Sequence, residues 1–313
     1  MDDTQIGMVV NYYWPSKSQE GYQIITSTTQ LALLFLRENP VVGNVVLVDG
    51  SPEADGLMKE KCEKLDVRYL HTGRRLTLAE GYNVGWRSLS EQYVGLMQND
   101  ILPHPRETLN LLLEWIKRPD VGCVFPYLTD PANYVQHIEI PVRSMRTCEP
   151  ANMQLNLNIF KRSLLEKVGG VDEGYMTSFY DPILVIKIRR LGYRAVLVGG
   201  AKAIHVDQLT KKLGGSSLTF DRWNMDVEKW RKEYSRYSTS DIYLECMRYS
   251  TWPLATTFSA SILWRICYAF PFAKIRFRLW RYMMWMEPYL TKYPARYGMK
   301  RDPFSRFSKE NGA

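Results

Sequence analysis

Asn44-Val45-Val46-Leu47-Val48-Asp49-Gly50-Ser51-Pro52 carries the decisive pattern. The run Asn44–Val48 is β-branched and apolar without alternation, as in a strand covered on both faces, and Asp49-Gly50-Ser51-Pro52 stops it. Upstream, Gly7–Tyr13 is a second buried strand and Ile24–Arg37 has helical spacing in Ile25, Leu31, Leu34 and Phe35. Downstream, Pro52–Leu65 reads as a helix, Val67–Leu70 as a strand, Thr77–Leu89 as a helix and Tyr93–Met97 as a strand. Strands alternating with helices imply an α/β fold with a doubly wound, mostly parallel sheet. Ligands of such sheets bind at the carboxyl ends of the strands. Asp49 and Asp100 follow the second and fourth of these strands, which puts two carboxylates on one rim.

Beyond residue 105 the alternation loosens. Val121–Tyr127 is a strand, and 128–154 is irregular, with Pro131, Pro141 and Pro150. Phe160–Val168 reads as a helix ended by Gly169-Gly170, and Asp181–Leu191 as another ended by Gly192. Arg194–Val198 is a strand leading to His205. Lys211-Lys212-Leu213-Gly214-Gly215-Ser216-Ser217 is a flexible-loop signal, and Met225–Tyr234 a charged helix. The expected organisation is a domain over 1–210, a loop and linking helix over 211–247, and an extension over 248–313.

Charge divides the chain the same way. Its 313 residues carry net charge +8, yet residues 1–206 hold 22 Lys+Arg against 23 Asp+Glu, and 207–313 hold 19 against 10. A uniformly basic nucleic-acid-binding protein is excluded. Residues 248–309 combine 12 Lys+Arg with only Glu287 and Asp302, and interleave Trp252, Trp264, Trp280 and Trp285. Three readings of this extension compete. It contacts a membrane surface, with cations at head groups and aromatics at the interface. It contacts nucleic acid, with Arg on phosphates and aromatics on bases. Or its aromatics pack on the first domain. Pro253–Ala273 is interrupted by Arg265 and does not read as a membrane span. Met1-Asp2-Asp3-Thr4 does not read as a secretory signal. Cys62, Cys123, Cys148, Cys246 and Cys267 are odd in number and form no Cys-x-x-Cys, which suits a reducing compartment. The expected location is cytoplasmic, peripheral on the inner face of a membrane if the extension binds one.

Several segments, in order, resemble the family 2 glycosyltransferases, nucleotide-sugar enzymes of GT-A fold. They are Leu47-Val48-Asp49-Gly50-Ser51; Leu78-Ala79-Glu80-Gly81-Tyr82-Asn83-Val84-Gly85; Gln98-Asn99-Asp100; Val168-Gly169-Gly170-Val171-Asp172-Glu173; Tyr180-Asp181 with Arg190-Leu191-Gly192-Tyr193; and Ile204-His205. The resemblance spans roughly residues 5–210. Gln98 stands where the family has the first acid of Asp-x-Asp, and Tyr180 where it has the Glu of Glu-Asp.

The resemblance implies an inverting transferase dependent on Mn2+ or Mg2+. Asp100 and His205 would hold the metal. Asp181 would be the general base. Asn11, Asp49, Ser51, Glu80, Asn83 and Asn99 would face the nucleotide sugar, with Asp49 accepting from the nucleobase. Asp172, Glu173 and Tyr180 would lie on the acceptor side. Flanking aromatics would raise the pKa of Asp181 by desolvation. The implied partners are a nucleoside diphosphate sugar and an acceptor glycan or lipid-linked sugar. Nucleic acid is the less favoured acceptor, and a non-catalytic binder of nucleotide or polyanion on the same fold is a further alternative.

Each residue also has a bland reading. Asp100 caps a helix beginning near Pro105, Asp181 is an N-cap before Pro182, and Asp49 is a turn former. His205 is a packed histidine, and Glu80 and Asn83 are solvated. The 211–217 loop closes over the diphosphate or is simply a surface loop.

Overall fold

A computed structural model describes residues 5–14, 19–104, 107–129, 147, 155–176, 179–206, 225, 226, 228 and 229. The 211–217 loop, the irregular stretch 130–146 and the 248–313 extension lie outside the described residues.

The first half follows the expected alternation: β1 (Ile6–Tyr12), α1 (Gln19–Arg37), β2 (Val42–Asp49), α2 (Gly56–Lys64), β3 (Arg68–His71), α3 (Leu78–Arg87) and β4 (Tyr93–Gln98). The second half holds β5 (Ile101–Pro103), α4 (Thr108–Ile116), β6 (Val121–Thr129), β7 (Leu157–Lys161), α5 (Arg162–Val168), α6 (Tyr180–Arg190) and β8 (Arg194–His205). All eight strands join one sheet in the order β3-β2-β1-β4-β7-β6-β8-β5. Four pairings are parallel: β1 with β2 and β4, β2 with β3, and β6 with β8. The other three are antiparallel: β7 with β4 and β6, and β5 with β8.

Strand periodicity sorts side chains into two cores. Val9, Val46, Val48, Val94 and Leu96 pack on one face with Tyr82 and Trp86 of α3 and Ile183 and Leu184 of α6. Met8, Val10, Val45, Leu47 and Met97 pack on the other with Ile25 and Leu33 of α1 and Leu109 and Leu112 of α4. Burial on both faces is why the 44–48 run is apolar without alternation. Gly85 lets α3 lie directly on β1, because a methyl there would overlap Val9.

Four local expectations need correction. Helix α2 starts at Gly56 rather than Pro52, because Asp55 is its N-cap and accepts from Met58 N. The helix expected over Phe160–Val168 begins at Arg162; its first residues finish β7, where Leu157 and Ile159 face one core and Phe160 the other. A short apolar run cannot be assigned by periodicity alone, and sheet pairing decides it. The strand expected over Arg194–Val198 runs on to His205, through a register shift opposite Phe125–Tyr127 and Gly200 at φ 86°. Strand β5, three residues long, was too short to read from sequence.

Candidate active site

The rim is built by strand order. β1 lies between β2 and β4, and Asn11 of β1 is in register with Val48 and Gln98. Asp49 and Asp100 therefore emerge at the same end of the sheet, on either side of β1. Antiparallel pairing of β5 with β8 sets Ile101 opposite His205, and Val206 N donates to Asp100 O at 3.0 Å. This brings together the two residues expected to hold a metal: His205 Nε2 lies 3.6 Å from Asp100 Oδ2. Asp100 is 4% exposed, and its buried Oδ1 has no hydrogen-bond partner among the described residues. An unpartnered buried carboxylate oxygen is costly unless a cation compensates it. Asp100 does not cap the following helix, because α4 starts at Thr108 with Glu107 as its N-cap residue.

The fit to a divalent cation is good in kind and sparse in number. A carboxylate and an imidazole suit Mn2+. Among the described residues no group of three or more His, Cys, Asp or Glu side chains could hold a metal. The amide of Gln98 is tied to the neighbouring turn: its Nε2 donates to Asn156 Oδ1 at 2.9 Å and to Leu155 O at 3.3 Å.

Asp49 is a hub rather than an open acceptor. It is fully buried, and its carboxylate accepts from Ser51 N at 2.9 Å, from Asp55 N at 3.1 Å and from the Tyr69 hydroxyl. Asp55 in turn accepts from Tyr12 at 2.6 Å and Tyr22 at 2.8 Å. The phenols of Tyr12, Tyr22 and Tyr69 are all pushed above their ordinary pKa, first by burial and then by their hydrogen bonds to the two carboxylates. Ser51 is fully buried, and its hydroxyl accepts from Trp14 N at 3.2 Å. Sequence reasoning missed Asp55 and the three tyrosines, whose partners are distant in the chain.

The other residues expected at the donor are mostly bound into the fold. Asn11 donates to Leu78 O at 2.9 Å, and its buried Oδ1 has no hydrogen-bond partner among the described residues; Gly81 gives it room. Glu80 completes a capping box with Thr77 and pairs with Arg74 at 2.8 Å, so it is not merely solvated. Asn99 donates to Thr29 Oγ1 at 3.0 Å. Asn83 is 1% exposed and stitches α3 to the loop after α5. Its amide donates to Val171 O and Glu173 Oε1, both at 2.7 Å, and accepts from Trp86 Nε1 at 2.8 Å and Val171 N at 2.9 Å. The solvated reading of Asn83 fails for the same reason. Asn83→Ala is expected to cost about 2–4 kcal/mol in urea unfolding, because it strands buried donors on Val171 and Trp86. Unchanged stability with weakened nucleotide affinity would assign Asn83 to the donor instead.

Of the residues expected on the acceptor side, Asp172 accepts from Gly174 N at 3.1 Å and lies 3.7 Å from Lys187 and 3.3 Å from Lys229. Glu173 lies 3.6 Å from Arg87 and accepts from Asn83. Asp181 is partly buried in the first turn of α6, where helix N–H groups favour negative charge. It is not the N-cap as expected. That position is Phe179, in the left-handed region at φ 69°, so that Tyr180 is already helical.

Tyr82, which stands in the 78–85 motif, was given no role of its own in the sequence reading. It is fully buried and donates to Leu155 O at 2.9 Å. Its phenol is held far above the ordinary range by burial, then by Tyr180, Asp100 and Asp181. The charges of Asp100 and Asp181 both act on this hydroxyl. Tyr180 is raised by burial first, then by Asp181 and Asp226.

These phenols predict alkaline instability. Tyr12, Tyr82 and Tyr180 keep their protons in the folded state above the pH at which the unfolded chain releases them. Stability is therefore intact below about pH 10 and falls as pH rises further, by up to about 1.4 kcal/mol per pH unit for each phenol. Urea midpoints at pH 9 and pH 11 test this, and equal midpoints would contradict it.

Residues 32–168 match the model of the family described as Glycosyl transferase family 2. No curated protein sequence matches the chain. The solved structures that resemble it in fold include the following three. The mannosyltransferase PcManGT from Pyrobaculum calidifontis, in complex with GDP-Man and Mn2+, is 16% identical at TM-score 0.51, over 90% of this chain and 84% of that one. GalNAc-T7 with UDP, GalNAc and Mn2+ is 14% identical at TM-score 0.50, over 64% of this chain and 43% of that one. TarS of S. aureus is 12% identical at TM-score 0.50, over 74% and 44%. The matched part is thus less than half the length of the GalNAc-T7 and TarS chains.

Proposed function

From a chain that resembles the family 2 glycosyltransferases in sequence over residues 32–168 and has a GT-A-like fold, we propose a metal-dependent, inverting transfer from a nucleoside diphosphate sugar to an acceptor hydroxyl. The observation that carries this reading is the Asp100–His205 pair, with one buried carboxylate oxygen unpartnered at the carboxyl end of the sheet. Asp100 and His205 would hold Mn2+ or Mg2+, which when bound would neutralise the leaving diphosphate. The GDP-Man and UDP named with two structural neighbours, both with Mn2+, support a donor of that class.

Asp181 accepts the proton of the acceptor hydroxyl as the oxygen attacks the anomeric carbon. A new carbon–oxygen bond forms on the face opposite the diphosphate. The old bond breaks, and its electron pair leaves with the nucleoside diphosphate. No protein nucleophile takes part. Burial raises the thiols of Cys62 and Cys123 to about 12, which keeps both in the inert protonated form. For Asp49 to read the base, its buried carboxylate, which already accepts from Ser51 N, Asp55 N and the Tyr69 hydroxyl, would have to become accessible to the nucleotide. The acceptor class that suits the basic aromatic extension is a glycan or lipid-linked sugar at a membrane surface. No helix among the described residues is long and apolar enough to cross a membrane.

A second reading is nucleotide binding without turnover, favoured by Gln98 being tied to the 155–156 turn. Release of nucleoside diphosphate from a panel of nucleotide sugars separates the two. Transfer predicts Mn2+-dependent release from at least one donor. Nucleotide binding with no release from any donor would establish the second reading.

A further inference from the structure

The loop from Gly169 to Phe179 leads directly into the helix that carries Asp181. It bends through three left-handed residues: Gly169 at φ 82°, Gly170 at φ 79° and Phe179 at φ 69°. For Phe179, with its Cβ, this conformation is strained and persists only where the surroundings enforce it. One side of the loop is fixed by Asn83, which bonds both N and O of Val171.

The other side is gripped by residues far later in the chain. Asp226, 1% exposed, accepts from Met176 N at 2.8 Å. Lys229 Nζ lies 3.3 Å from Asp172 Oδ1 and 4.5 Å from the centre of the Tyr175 ring. Gly174 makes room for that ammonium, since a methyl there would occupy its place. Met225, Asp226, Glu228 and Lys229 are helical, so Asp226 and Lys229, three apart, face the same way. Two charged groups thus clamp a backbone amide and a carboxylate of one short loop. The Asp226 charge also reaches the Tyr180 phenol next to Asp181.

We propose that Asp226 and Lys229 are positioning residues that clasp the 172–176 loop, enforce the left-handed turn at Phe179 and so set where Asp181 stands. This deepens the transferase reading and rests on Asp181 being its base. The clasp makes the catalytic geometry depend on a segment of the basic third of the chain, beyond the matched family region.

The test uses the full chain with Gly174→Ala, Lys229→Met and Lys229→Arg. Gly174→Ala displaces the ammonium while leaving every charge in place, and Lys229→Met keeps the stem over Tyr175. Two readouts are taken: amide hydrogen exchange, and kcat and KM for nucleoside diphosphate release with water as acceptor. Gly174→Ala and Lys229→Met are expected to speed exchange across 172–183 about tenfold, with β1, β2 and β4 unchanged. They are expected to lower kcat about tenfold or more with donor KM within about twofold. Lys229→Arg is expected to restore both. Unchanged exchange, or faster exchange with unchanged kcat, overturns the proposal, as does faster exchange throughout the sheet. Asp181→Asn in the same assay keeps the two readings apart. If it abolishes release while the clasp variants are silent, the positioning role falls and the transferase reading stands. If the wild-type chain releases nothing from any donor, both fall.

Discussion

Asp181→Asn is expected to lower transfer at least about a hundredfold while nucleotide-sugar affinity stays within about twofold. The amide keeps the shape and the hydrogen-bonding edge of the carboxylate but cannot take the acceptor's proton. Asp181 sits in the first turn of α6, so the lost charge costs the helix only about 0.3–1 kcal/mol. Folding and donor binding should therefore survive, and a fall in kcat without a rise in donor KM marks a group acting only in the transition state. Unchanged turnover would remove Asp181 from the mechanism.

Asp100→Asn is expected to remove Mn2+-dependent nucleotide binding and to lower transfer on the order of a thousandfold, the scale of several kcal/mol of lost charge stabilisation. Its effect on the fold should run the other way. Asp100 is 4% exposed and its Oδ1 has no hydrogen-bond partner among the described residues, so an isosteric neutral side chain relieves desolvation. Without metal the variant should be at least as stable as the wild type, and with Mn2+ and nucleotide it should gain less. A destabilised variant that still binds Mn2+ with nucleotide would make Asp100 a structural residue.

The sequence disclosed the frame better than the site. Strands β1 to β4 could be read because burial on both faces leaves apolar runs, as in Val45-Val46-Leu47-Val48, closed by Asp49-Gly50. β7 could not, because its five residues are a strand only through pairing with β4 and β6. Asp100 and His205 were each visible as acids or imidazoles at strand ends, but what joins them is β5, three residues long. Asp49 and Asn83 stand in recognisable motifs, yet their side chains are filled by Tyr69, Ser51, Val171 and Trp86. Such partners lie 20 to 88 residues away for Tyr69 and Val171, and no local pattern signals them. The contacts of Asp226 and Lys229 were hidden in the same way, since a charged helix over Met225–Tyr234 does not name its partners by composition.

In the proposed function the chain binds a nucleoside diphosphate sugar through a cation at Asp100 and His205. Thermal unfolding of the full chain with a panel of nucleotide sugars, with and without Mn2+, tests it most directly, because a ligand of the folded state raises apparent stability. The expected result is a rise in Tm with at least one nucleotide sugar in Mn2+, absent without the ion and absent in Asp100→Asn. A rise that is the same without Mn2+, or that persists in Asp100→Asn, would contradict the account.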